Sequence, residues 1–146
     1  MQTSTFSIDI NATKEKVWTT LWNHESYREW TAVFSPGSDV KTDWQVGSTV
    51  LFGDGSGNGM ISRIAGKTPN EFMSFEHLGE LKDGVEDFSS DRVKQWNGAK
   101  ENYYLEKKGD QTHLRVEMDI ADNFKEYFDR TWPLALEKLK ELAEKN

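Results

Sequence analysis

Between residues 123 and 144, apolar side chains recur at steps of three and four. Phe124, Tyr127, Phe128, Thr131, Trp132, Ala135, Leu139, Leu142 and Ala143 fall on one side of a helical wheel, and Glu126, Arg130, Glu137, Glu141 and Glu144 fall on the other. The spacing predicts one long helix, about 33 Å from end to end. Asn123 is placed to cap it, and Glu126 three residues on would complete a capping box. Glu126 with Arg130, and Glu141 with Lys145, are acid-then-base pairs four apart. Pro133 lies in the middle of the polar face, where water solvates the carbonyl that proline frees. It therefore reads as a bend, concave toward the helix's partner. The alternative is a break, with a second helix starting at Pro133.

Elsewhere the period is two. Phe6, Ile8 and Ile10 point one way along residues 5–10. Thr13 then stands where a helix cap belongs, ahead of Val17, Trp18, Leu21 and Trp22 at helical spacing, and a further short helix ends near Trp30. Strands follow at residues 39–42, 48–53, 59–66 and 71–78, with a glycine-rich hairpin loop at 53–59 and a turn at 67–70. Residues 80–99 are polar and longer than ordinary loops, and Ser90 could cap a helical turn containing Val93 and Trp96. Two more strands, 100–107 and 112–121, precede the long helix. The last alternates cleanly, with Leu114, Val116, Met118 and Ile120 inward and Arg115, Glu117 and Asp119 toward water. Short turns join these strands, so the sheet is antiparallel, and the long helix is the only element large enough to cover its apolar face. The expected fold is α+β: a curved antiparallel sheet of about seven strands wrapped on a long C-terminal helix, with two short helices after the first strand.

Composition narrows the function. A chain of 146 residues predicts a single domain spanning 1–146. A net charge of -7 argues against nucleic acid and anionic membrane surfaces as partners. The chain has no cysteine, which removes disulfides and thiol catalysis. No signal peptide or membrane-spanning run is visible, and a cytoplasmic protein is the expectation.

Residues 8–21, IDINATKEKVWTTL, resemble the opening of the START-like, Bet v 1-like superfamily, and within it the group named for homologues of the activator of Hsp90 ATPase. Trp30, Trp44, Gly47-Ser48, the run from Gly59-Met60-Ile61 through Pro69 and Phe72 to Glu76, the stretch Trp96 to Tyr103, and the segment from Trp132 to Leu139 extend the resemblance over nearly the whole chain. It implies a helix-grip fold with a cavity between sheet and long helix, often open to an apolar ligand. The superfamily includes lipid carriers, hormone receptors, polyketide cyclases and chaperone activators, so the fold leaves activity open.

The cavity wall is expected to include Phe75, Val116, Met118, Phe128 and Trp132, with His77 or Tyr103 as a polar handle. His77 shares a strand face with Met73 and Phe75, and either that face or the one carrying Phe72 and Leu78 points inward. Tyr103 and Tyr104 are adjacent in a strand, so one of them is inward. His24, His77 and His113 show no metal-ligand spacing, no Ca²⁺-loop spacing marks the acids at 80, 83, 86 and 87, and no catalytic constellation is visible. No metal or cofactor is called for. The expected role is binding of an apolar small molecule or lipid-like ligand. The alternatives are an enzyme resembling polyketide cyclases and a co-chaperone-like module with a protein partner.

Overall fold

The structure is a computed structural model and describes residues 1–145. Strand β1 (Gln2–Ile10) leads into helices α1 (Lys14–Trp22) and α2 (His24–Thr31). Strands β2 (Asp39–Lys41), β3 (Thr49–Gly53), β4 (Gly59–Thr68), β5 (Phe72–Lys82) and β6 (Val85–Asp87) follow, then the short helix α3 (Asp91–Lys94). Strands β7 (Lys100–Lys108) and β8 (Gln111–Ile120) and helix α4 (Lys125–Ala143) complete the chain. The sheet runs β1-β8-β7-β5-β4-β3-β2, every pair antiparallel, with β6 beside the far end of β5. The α+β helix-grip arrangement is the one that the alternating pattern predicts, with one additional three-residue strand.

That strand belongs to the polar stretch after residue 80. Gly79 makes room for it: a Cβ there would stand 2.5 Å from the Asp87 carbonyl oxygen and 2.5 Å from the Phe88 ring. Only a residue without a side chain lets the β6 backbone fold back so closely. Ser90 then caps α3 by accepting from the Val93 amide, which buries Val93 completely.

Helix α4 is continuous through Pro133, which lies on its exposed face. Thr131, Trp132, Ala135, Leu136, Leu139 and Ala143 are buried against the sheet. All but Thr131 share one core cluster with the inward row of β8, where Leu114, Val116, Met118 and Ile120 are at most 7% exposed. Trp132 fastens the two layers, donating its indole N–H to the Met118 sulfur at 2.8 Å and stacking on Phe6.

The start of α4 differs from the expected capping box. The chain leaves β8 through a 3-10 turn, Asp122–Phe124, closed by the Phe124 amide on the Ala121 carbonyl. Asn123 is inside that turn, not at a helix mouth, and α4 begins without a side-chain cap. The surface ion pairs differ as well. Lys125 pairs with Asp129 and Lys140 with Glu144, whose other partner is the Asn11 amide at 2.8 Å. Glu144 thereby ties the end of α4 to the end of β1, which an exposed pair of Glu141 and Lys145 would not do.

The β5 pattern resolves in favour of the histidine face. Met73, Phe75 and His77 are buried, and Phe72 and Leu78 lie on the half-buried outer side. On β7, Tyr103 turns inward, and Tyr104 turns outward beneath the Arg115 guanidinium.

Candidate functional site: a cavity between the sheet and the long helix

Between them, the sheet and the helices leave a space that side chains do not fill. It lies between the inner face of the sheet, α2 and the first half of α4, and its volume is about 560 Å³. Aromatic and thioether side chains make much of its wall, among them Tyr27, Trp30, Phe52, Met118, Phe128 and Trp132. The β3–β4 hairpin contributes Gly53, Asp54, Asn58 and Gly59 to the lining, and the segment after β8 contributes Ala121 and Phe124.

One part of the wall is polar and tightly organised. Ser62 on β4 and His77 on β5 are direct cross-strand partners, and Ser62 Oγ lies 2.7 Å from His77 Nδ1. His77 Nε2 lies 3.1 Å from Glu101 Oε1 on β7, one diagonal step further across the sheet. The Tyr103 hydroxyl, two residues along β7, donates to Glu101 Oε2. The bonds close consistently when the Ser62 hydroxyl donates to Nδ1 and the His77 Nε2–H donates to Glu101, a tautomer assigned from the network itself. Glu101 then accepts two hydrogen bonds as a carboxylate, with its side chain 15% exposed. Ser62 is wholly buried behind the wall and does not face the cavity. It serves to orient the imidazole, not to act as a nucleophile on a bound molecule.

The neighbouring phenols answer to this carboxylate. Burial, then the Glu101 and Asp39 charges, push the Tyr27 hydroxyl well above its ordinary value, with Ser38 acting weakly the other way. Burial first, then Glu101 and Tyr27, push Tyr103 up likewise. Both remain neutral donors over the whole physiological range.

Of the residues expected at the wall, His77, Tyr103, Met118, Phe128 and Trp132 come together there. Phe75 and Val116 do not. Phe75 is fully buried, held edge-on by Trp22, Phe52 and Tyr103, and Val116 is fully buried opposite Tyr103 and Phe6. Both support the wall from behind. Glu101, the central group, escaped the sequence reading, although it shares the period-two face of Tyr103 and Leu105. Ser62 is harder to find, because a register shift between Ile61 and Ser62 breaks the alternation of β4 and buries both.

The other histidines stand apart. His24 meets Asp39 and His113 meets Asp9, both near the surface. Among the described residues, no group of three or more His, Asp or Glu side chains could hold a metal ion, and no helix is long and apolar enough to cross a membrane. Glu80 is paired with Arg92.

Comparison with known proteins fits this architecture. The chain superposes on the Aha1 dimer from Colwellia psychrerythraea with a TM-score of 0.74 at 22% identity, covering 99% of this chain and 97% of that one. Protein MLL2253 from Mesorhizobium loti gives 0.71 at 19% identity, covering 97% and 96%. DynU16, encoded in the dynemicin biosynthetic locus, gives 0.70 at 13% identity, covering 99% of this chain and 48% of that one. At these identities the likeness establishes the fold alone. No curated protein matches the chain. The family model described as activator of Hsp90 ATPase homolog 1-like protein matches residues 11–144. With that span covering nearly all of its length, the chain belongs to the activator of Hsp90 ATPase homolog 1-like family.

Proposed function

We propose that the protein binds an apolar small molecule in the cavity between the sheet and α4, oriented by the His77–Glu101–Tyr103 group. The observation that carries this reading is the cavity itself. Its volume of about 560 Å³ is in the range of small-molecule sites, and its wall is aromatic with one cluster of convergent polar groups. Side chains that merely completed a core would close such a space, since interiors pack to crystal-like density. Met118, Phe128 and Trp132 form the apolar wall, with Phe75 and Val116 behind it.

An environment-sensitive apolar dye tests the proposal. It should bind the folded protein at one saturable site and quench the fluorescence of Trp30 and Trp132, both at the wall. Ala99→Phe, which adds a ring at the cavity wall beside His77 and Glu101, should abolish dye binding while circular dichroism stays native. A protein that shows no saturable dye binding would refute the ligand role, and an interaction with a protein partner would become the better reading.

The hydrogen-bonded Glu101 favours a second reading on the same site, an enzyme resembling polyketide cyclases. A carboxylate held by a histidine inside an apolar cavity is suited to take a proton from a bound molecule. DynU16, of similar fold, comes from a biosynthetic locus. Turnover of a bound compound, lost in Glu101→Gln with binding retained, would decide for catalysis.

A further inference from the structure

An apolar cavity is indifferent to the sign of a ligand's charge unless its wall carries one. Besides His77, the charge-bearing residues of this wall are acids. Asp54, Glu80, Glu101 and Asp119 line it, and neither lysine nor arginine does among the described residues. Three of these acids are satisfied locally. Asp54 accepts from the Ser56 amide at 2.9 Å, Glu80 pairs with Arg92, and Asp119 accepts from the Thr3 hydroxyl at 2.8 Å and the Lys100 amide at 3.0 Å. Asp54 and Asp119 likewise lack a lysine or arginine partner, but Glu101 is set among the rings of the wall, with its side chain 15% exposed. Its partners are an imidazole and a phenol, and no lysine or arginine pairs with it among the described residues. With His77 protonated on Nε2 alone, both partners are neutral. The carboxylate is then hydrogen-bonded but its charge is not compensated. Each of its oxygens keeps one lone pair free.

The rings that share the cavity with Glu101 point to the same sign. Tyr27, Trp30, Phe52, Tyr103 and Trp132 line it. Aromatic faces carry negative charge density and attract ammonium groups, most strongly where water is excluded. An uncompensated carboxylate in such surroundings is costly without a cationic partner.

We propose that the ligand is an amphiphilic organic cation, a protonated alkyl- or arylamine, seated with its ammonium group on the free lone pairs of Glu101 and its apolar body among the rings. This deepens, and rests on, the reading of the cavity as an apolar-ligand site. A fatty acid would instead bring its charge against Glu101.

Three probes with one tail separate the two claims. Decylamine, decanol and decanoate are titrated at neutral pH and about 0.15 M salt, where charges outside the cavity are largely screened. Binding is read from tryptophan fluorescence. Charge-assisted hydrogen bonds are about twice as strong as neutral ones, so decylamine should bind at least about tenfold more tightly than decanol, and decanoate more weakly than either. Glu101→Gln, which keeps the shape and removes the charge, should erase the amine's advantage over decanol. Glu80→Gln, at an acid already paired, should leave the advantage in place. Decanol binding with no preference for the amine would overturn the cation proposal and leave the apolar-ligand reading standing. So would a preference that survives Glu101→Gln. Failure of all three probes to bind saturably would bring down both. The comparison within the wild-type protein holds even where a variant folds poorly.

Discussion

Tyr27 and Tyr103 sit beside one carboxylate with almost no access to water, and this arrangement has a pH signature. Their phenols ionise less readily in the folded protein than at the ordinary value of 10.0. Below about pH 10 neither state loses a phenolic proton, so stability is unaffected. Above it, the unfolded chain releases protons that the folded chain keeps, and folding weakens as pH rises. Each such tyrosine should remove about 1.4 kcal/mol of stability per pH unit. Urea midpoints followed between about pH 9 and pH 11 should fall, and the decline should be shallower in Tyr27→Phe. An identical slope in the variant would show that Tyr27 ionises freely in the native state. At this scale the sequence was half legible. Alternation along β7 places Tyr103 inward and carries Glu101 with it, but a charged residue on an apolar face reads as an exception until its partners are seen. Those partners come from β4 and β5, at sequence separations that no local pattern encodes.

Elements were more legible than their ends. The clean alternation of β8 fixes its register against α4, because a slip by one residue would turn every apolar side chain to water. Val116, fully buried between Tyr103 and Phe6 on the neighbouring strands, tests that register. Val116→Asp would bury an unpaired charge and should cost more than about 4 kcal/mol, enough to leave the protein unfolded by circular dichroism. A soluble, cooperatively melting variant would contradict the packing described for β8. Pro133 is the opposite case. It stands on the outer face of α4 and touches no core residue's place, so Pro133→Ala should not lower the urea midpoint, and the restored bond to the Asp129 carbonyl should raise it. A loss of more than about 1 kcal/mol would mean that the proline bend is needed to fit the sheet. The 3-10 turn before α4 and the three-residue β6 stayed hidden for a common reason. Each is set by how the chain must exit one strand and meet another, as at Gly79, and not by the preferences of its own residues.

At the scale of the molecule, the resemblance in the opening segment and the order of the elements both led to the helix-grip fold, while the cavity's chemistry waited on the assembled sheet. One feature of that assembly reaches beyond recognition. A hollow of about 560 Å³ behind α4 is contact that the interior forgoes. A compound that fills it and ignores the unfolded chain stabilises the fold by mass action, about 2.7 kcal/mol when present at a hundredfold excess over its dissociation constant. The melting temperature should therefore climb with the logarithm of decylamine concentration, without a plateau at stoichiometric saturation. Inside a cell the same coupling acts on survival. Proteases cut the opened chain, so the proposed ligand, when plentiful, should lengthen the protein's half-life, and abundance should follow the supply of that ligand without any separate sensor.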